Sequence, residues 1–415
     1  MDKDVLHQGV FFALQEPEHV ANPYPLYHRL RSQTPFHWDF VLCGWFLTSY
    51  ADVRAALADP RLTTKNFPFD VSQLPPGVQD DLAPLVRVMK REVLYNDAPE
   101  HDRLRRPLNR AFNPAVFERL RPEMEALAQE LLAKADRRRS IDVVSDYSEP
   151  LADYMIGELL GLPHANRAEF IEWCDRLKKF MTARRIGHET VLRAKEAVKV
   201  FEAIRAYIRT IITARRVNFA DDVIGHSFAV EANEAPLTED EVLANCVFFL
   251  HAGARNMSAS ITNAVLALLQ HPEQFARLRE DPQAVTIAVE ELLRYDGPSG
   301  VQARVVRVEN VMRGKTLRPG DRMFVMLSAA NRDPDVYEDP DRLILQRDGV
   351  PHLSFGFGMH ICLGFPLARL EGQIALPAVL ERWPRIELAM PEARLEWLNS
   401  MVFRGMTRMP LRVSS

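Results

Sequence analysis

Cysteine is scarce in this chain: Cys43, Cys174, Cys246 and Cys362 are the only four in 415 residues, and none shares a paired spacing with another. That leaves no disulfide framework and no ground for a zinc site built on cysteine pairs. Long apolar runs are missing as well. The first twenty residues carry acids where a secretory leader starts basic, and their apolar stretch is too short to span a bilayer, so a cytoplasmic protein with no membrane partner is expected. Nor is there an excess of positive charge: 52 Lys and Arg against 56 Asp and Glu leave a net charge of -4, which offers no overall field for nucleic acid. Without Gly/Ser linkers, repeats of solenoid period or low-complexity tracts, residues 1–415 are expected to form a single domain.

What is present is an ordinary globular composition, 47% hydrophobic and 26% charged. Apolar residues recur at helical spacing from Ala115 to Ile212, with breaks near Arg137 to Ser140 and Gly161 to Pro163. Shorter helices are expected from Pro23 to Arg31 and from Ala51 to Leu57. Thr238-Glu239-Asp240-Glu241 is a capping box opening a proline-free run to Pro272, enough for a helix of about 48 Å. Another helix is expected from Thr286 to Tyr295, and a last long one just after Cys362. Trp45 to Thr48 reads as a strand. Arg304 to Met326 alternates between turns at Arg313-Gly314 and Pro319-Gly320, which predicts a small sheet. The fold class is therefore mainly α with a small β portion. Leu62 to Leu94, with Pro68, Pro75 and Pro76, reads as a loop-rich binding or lid element.

The segment His352-Leu-Ser-Phe355-Gly-Phe-Gly358-Met-His360-Ile-Cys362-Leu-Gly364 runs into the helical Ala368-Arg369-Leu370-Glu371. A cysteine at a helix N-terminus faces unpaired N–H groups and the positive end of the dipole, which favours thiolate. Nearby glycines allow tight folding and close approach of a flat ligand. The bland alternative is a buried, inert thiol. However, Phe355, Gly358, Cys362 and Gly364 match Phe-x-x-Gly-x-x-x-Cys-x-Gly, and the segment resembles the haem-binding signature of soluble bacterial cytochromes P-450.

That resemblance implies a triangular helical prism around a buried haem b, with Cys362 as the metal ligand and O2 as co-substrate. It implies a structural ion network of Glu291, Arg294 and, from Pro340-Asp341-Arg342-Leu343, Arg342. It also assigns His101 and Arg105 to one haem propionate and places Arg304 and His352 on the other side. Substrate is expected against residues 62 to 94, Phe170 to Met181, Val247 to Asn256, Ser299 to Gln302 and Met401 to Phe403. Phe248, Phe249, Val301 and Val402 are its candidate pocket residues.

One segment departs from the family pattern. Where Ala-Gly-x-acid-Thr is usual, the chain reads Ala252-Gly253-Ala254-Arg255-Asn256, with Ser258 two residues on. Ala252 and Gly253 keep the small residues expected to leave room for O2. Arg255 and Asn256 replace the acid and alcohol that relay protons, and neither is a proton carrier. Three readings stand side by side. Asn256 holds water or orients oxygen in a conventional monooxygenation; Arg255 binds a substrate carboxylate that serves as the acid, with peroxide use included; or the reaction is a ring-forming or coupling oxidation. A haem-thiolate sensor without turnover is the non-enzymatic alternative. Arg103, Arg105, Arg106 and Arg110 are expected to receive an acidic ferredoxin or flavodoxin served by its reductase.

Overall fold

The computed structural model of the chain describes residues 9–65, 71–72, 74–182, 188–229 and 235–414. They divide into two compact units. The first comprises Met1–Thr63, Arg121–Leu151 and Asn256–Ser415, the second Thr64–Leu120 and Ala152–Arg255.

All strands among the described residues fall in the first unit. Its largest sheet runs in the order Phe36–Asp39, Gly44–Leu47, Arg322–Met326, Val301–Val306, Leu62–Thr63. Only the Gly44–Leu47 and Arg322–Met326 pair is parallel. A three-stranded sheet joins Ser140–Asp142, Pro410–Ser414 and Arg385–Leu388. Asn310–Met312 and Lys315–Leu317 make a hairpin whose Arg313 and Gly314 both have positive φ, as a two-residue primed turn demands. Leu47, Tyr50, Val53, Met323 and Val325 form one apolar cluster against the sheet; Leu26, Phe46, Val301, Phe324 and Met326 form another.

Helices Val285–Asp296 and Phe365–Arg382 pack together in this unit, closely enough that a Cβ on Gly372 would lie 3.1 Å from Val289 Cγ2. The latter helix begins three residues after Cys362, as the sequence predicts. Two further expectations hold with small boundary shifts, the helices Tyr24–Gln33 and Tyr50–Ala58.

The second unit is helical. His164–Thr182 packs on His188–Val217, Glu100–Ala111 on Val223–Phe228, and Pro76–Met89 on His188–Val217. The helix Pro76–Met89 corrects the loop-rich reading of 62 to 94. Pro76 sits in the first turn, where no intrahelical N–H is needed, and Val78, Leu82, Leu85 and Met89 bury one face. Pro68 lies outside the described residues.

The long helix is Glu239–Gln270, 32 residues. Its start closes the anticipated box: Thr238 N–H donates to Glu241 Oε2 at 2.8 Å, and Glu241 N–H to Thr238 Oγ1 at 3.3 Å.

Candidate active site

The cysteine loop is pinned at its start. Asn331 accepts from Leu353 N–H at 2.7 Å and donates to Ser354 Oγ at 2.8 Å, while that hydroxyl donates to Leu293 O at 2.7 Å. The loop then needs glycine twice. Gly356 and Gly358 have φ of +71° and +76°, and a Cβ on Gly358 would sit 2.7 Å from Leu57 O. A 3-10 turn over Gly358–His360 follows, and Cys362 N–H closes the loop on Phe355 O at 2.8 Å. Cys362 is exposed. Gly364 is the N-cap of the 18-residue helix Phe365–Arg382, and no side chain caps that end. The positive end of that helix's dipole therefore lies two residues beyond Cys362 in the chain.

Behind the loop, Glu291 and Arg294 are both buried, bonded at 2.7 and 2.9 Å. The third member is not the expected arginine. Arg342 is 73% exposed in its side chain and pairs with Asp339 at 3.1 Å; Arg347, 10% exposed, reaches Glu291 at 3.1 and 3.2 Å. Arg342 contributes its backbone carbonyl, which accepts from Arg294 and Arg347. Glu291 also accepts the Ile344 N–H, so chain geometry favours the guanidinium that returns after this turn.

His352, expected as a propionate ligand, has a buried Nε2 that makes no hydrogen bond within the protein. Its Nδ1 accepts from Ser354 N–H at 3.2 Å, which leaves the proton on Nε2, and Nε2 lies 3.4 Å from Glu290 Oε2. Burial raises the Glu290 pKa, but His352 and Arg369 overcome this and bring it down to about 2. Arg304 is buried, with hydrogen bonds to Ala303 O and Gln302 Oε1.

In the second unit His101 is buried, its Nδ1 2.9 Å from Asp102 Oδ1, and Arg105 is half-buried. Arg103 is held by Glu100 and by the capping-box acid Glu241, which offset its charge, whereas Arg110 donates to the neutral Ala229 O. Ala252 is half-buried. A Cβ on Gly253 would overlap Ile156 Cδ1, so its Cβ side faces the helix Glu149–Leu160. Arg255 has a partner that the sequence leaves unnamed, Asp175 at 3.3 Å, with the two side chains 41% and 43% exposed. Asn256 is half-buried. Ser258 is buried and shares hydrogens with Ser148 at 2.8 Å, while Thr262 bonds Ser148 at 3.1 Å and donates to Ser258 O, a closed hydroxyl group within the first unit.

Of the pocket candidates, Phe249 is buried against Phe112 with centroids 5.2 Å apart, and Phe248 is half-buried. Phe170 is buried against Tyr207. Val301 belongs to the core cluster and Val402 is 41% exposed. Their segments do meet: Gly300 N–H donates to Val402 O at 2.9 Å. Sequence reasoning missed Glu290, Arg347 and Arg369. Only the charge of each was visible there, since their partners lie far along the chain.

A helical fold with small sheets, a glycine-shaped cysteine loop and a buried Glu/Arg pair behind it define a haem-thiolate enzyme. The cytochrome P450 family model matches residues 83–396; the chain belongs to this family and is a cytochrome P450 monooxygenase. It is 34% identical over 400 residues to the biotin biosynthesis cytochrome P450 of Bacillus subtilis, covering 95% of this chain and 97% of that protein. With the cytochrome P450 monooxygenase PikC of Streptomyces venezuelae it shares 33% over 405 residues, 95% and 91% of the two chains. Among solved structures it resembles CalO2, with a TM-score of 0.87, 31% identity and 97% and 98% coverage. It also resembles P450BioI in complex with an acyl carrier protein carrying hexadec-9Z-enoic acid, at 0.85, 33%, 96% and 100%. No described helix is long and apolar enough to cross a membrane.

Proposed function

We propose that this P450 holds haem b through the Cys362 thiolate and monooxygenates an apolar small organic molecule, using O2 and electrons from a ferredoxin-type protein. One observation carries the reading: an exposed cysteine precedes an uncapped long helix, on a loop fixed by Asn331, Ser354 and two positive-φ glycines. The donor set fits the cofactor, since thiolate is favoured at such a helix end. When bound, the haem supplies O2 activation, with thiolate donation favouring O–O cleavage. By family resemblance His101, Arg105, Arg304 and His352 are assigned to the propionates.

The chain's own residues favour conventional monooxygenation over carboxylate assistance. Arg255 already pairs with Asp175 at 3.3 Å, an exposed contact of about 0–1 kcal/mol that a substrate carboxylate would have to displace. The Asn256 amide, donor and acceptor at once, holds a water or orients oxygen, while solvent supplies the protons. Ser258 takes no part, because its hydroxyl is engaged with Ser148. Phe248 lends the pocket apolar surface. The P450BioI complex makes a carrier-bound or free acyl chain one apolar substrate worth testing.

The test is an absorbance screen for spin-state change with a natural-product and fatty-acid library. Turnover of each hit is then compared between a surrogate ferredoxin system with labelled O2 and peroxide alone. One labelled oxygen in the product supports the reading. Turnover only with peroxide, or a coupled product without added oxygen, replaces it, and ligand binding without turnover by either route makes the protein a sensor.

A further inference from the structure

We propose that Glu290 is a positioning residue for the cysteine loop, and that its pairing with Arg369 sets the charge felt at Cys362; this rests on the haem-thiolate reading above. Glu290 and Glu291 are neighbours on helix Val285–Asp296, yet they hold different parts of the chain. Glu291 takes Arg294, Arg347 and Ile344 N–H. Glu290 accepts from Arg369 Nε and Nη2 at 2.6 and 2.7 Å, a two-point fork, and faces His352 Nε2 at 3.4 Å. His352 precedes the cysteine and Arg369 follows it, so one carboxylate ties together both ends of the segment that presents the sulfur.

Contacts around the loop extend this tie. The Arg369 guanidinium lies 5.2 Å from the Phe355 ring centroid and 4.9 Å from that of Phe365. The same Phe355 touches the His352 ring at 5.5 Å and accepts the Cys362 N–H on its carbonyl. Glu290 and Arg369 are both partly shielded from water, so their charges are only partly screened. Together they present a neutral pair beside the loop. Remove either and a single charge of known sign remains.

The consequence is a sign pattern in the potential for one-electron reduction of the haem protein. Glu290→Gln leaves the Arg369 cation, favours the reduced form and raises the potential. Arg369→Gln leaves the Glu290 anion and lowers it. Each single change should alter the reduced-to-oxidised ratio at fixed potential at least threefold, about 28 mV at 59 mV per tenfold for one electron. The double variant should return close to the wild-type potential. Backbone hydrogen exchange over residues 352–362 should accelerate in all three, because the tie is lost. Arg369→Lys keeps the charge without the fork, so it should hold the wild-type potential while exchange still accelerates.

Holoprotein spectroelectrochemistry with hydrogen exchange tests this directly. Potentials that stay put, or move in the same direction in the two single variants, overturn the proposal while leaving the haem-thiolate reading intact. Absence of the red-shifted ferrous–carbon monoxide band in the wild type overturns both.

Discussion

Replacing Arg347 by alanine should destabilise the protein far more than replacing Arg342, although the family's sequence pattern points to Arg342. Arg347 reaches both Glu291 oxygens and donates to the carbonyls of Glu338, Asp339 and Arg342. Its side chain is almost wholly enclosed. Breaking a buried ion pair costs about 3–5 kcal/mol when the partner is left uncompensated. Here Glu291 keeps Arg294 and the Ile344 N–H, so the lower end, about 3 kcal/mol, is expected. Arg342 makes one exposed pair with Asp339, and such pairs contribute about 0–1 kcal/mol. Its carbonyl survives mutation to alanine. The assay is denaturant unfolding of both variants, followed by tryptophan fluorescence and, on the same samples, by retention of the ferrous–carbon monoxide band. A shift of the unfolding midpoint in Arg347→Ala with little change in Arg342→Ala is predicted. Equal shifts, or a larger one in Arg342→Ala, would refute the assignment of the third member of the network.

Other consequences can be measured separately. Gly253→Ala should cost about 1–2 kcal/mol net, overpacking against Ile156 being offset in part by roughly 1 kcal/mol of gained helix propensity, visible as a lower midpoint in thermal unfolding, whereas an unchanged or higher midpoint would mean that Ile156 gives way. Arg255→Ala should change stability by no more than about 1 kcal/mol and leave the spin-shift affinity for acid-bearing ligands unchanged; a lost spin shift would restore the carboxylate-clamp reading. Because the folded-state pKa of Glu290 lies below its ordinary value, its contribution is complete above that ordinary value and fades as pH falls toward about 2. Allowing for solvent screening of this partly exposed group, the loss is on the order of 1–2 kcal/mol, and Glu290→Gln should flatten that part of the acid-unfolding curve.

Much of the fold was legible because period and punctuation agree. The capping box at Thr238 to Glu241 forms as read, and the breaks near Ser140 and Gly161 separate real helices. Prolines misled around Pro75 and Pro76: at the start of a helix they fit a missing N–H rather than interrupt a ladder. Gly253 shows another limit. A glycine on a helix face says that something comes close, but not whether it is a ligand or Ile156. The Glu291 network shows the same limit, since the motif pointed to Arg342 and only the path of the chain turns Arg347 inward in its place. The shape of the loop around Cys362 was readable because its glycines and the helix that follows it serve one geometry.

The most direct test is the reduced, carbon monoxide-treated spectrum of the purified protein beside that of Cys362→Ser. A red-shifted Soret band in the first and its loss in the second are predicted, with Cys43, Cys174 and Cys246 unable to substitute. A pigment-free wild type, or a band that persists in the serine variant, would contradict thiolate ligation by Cys362.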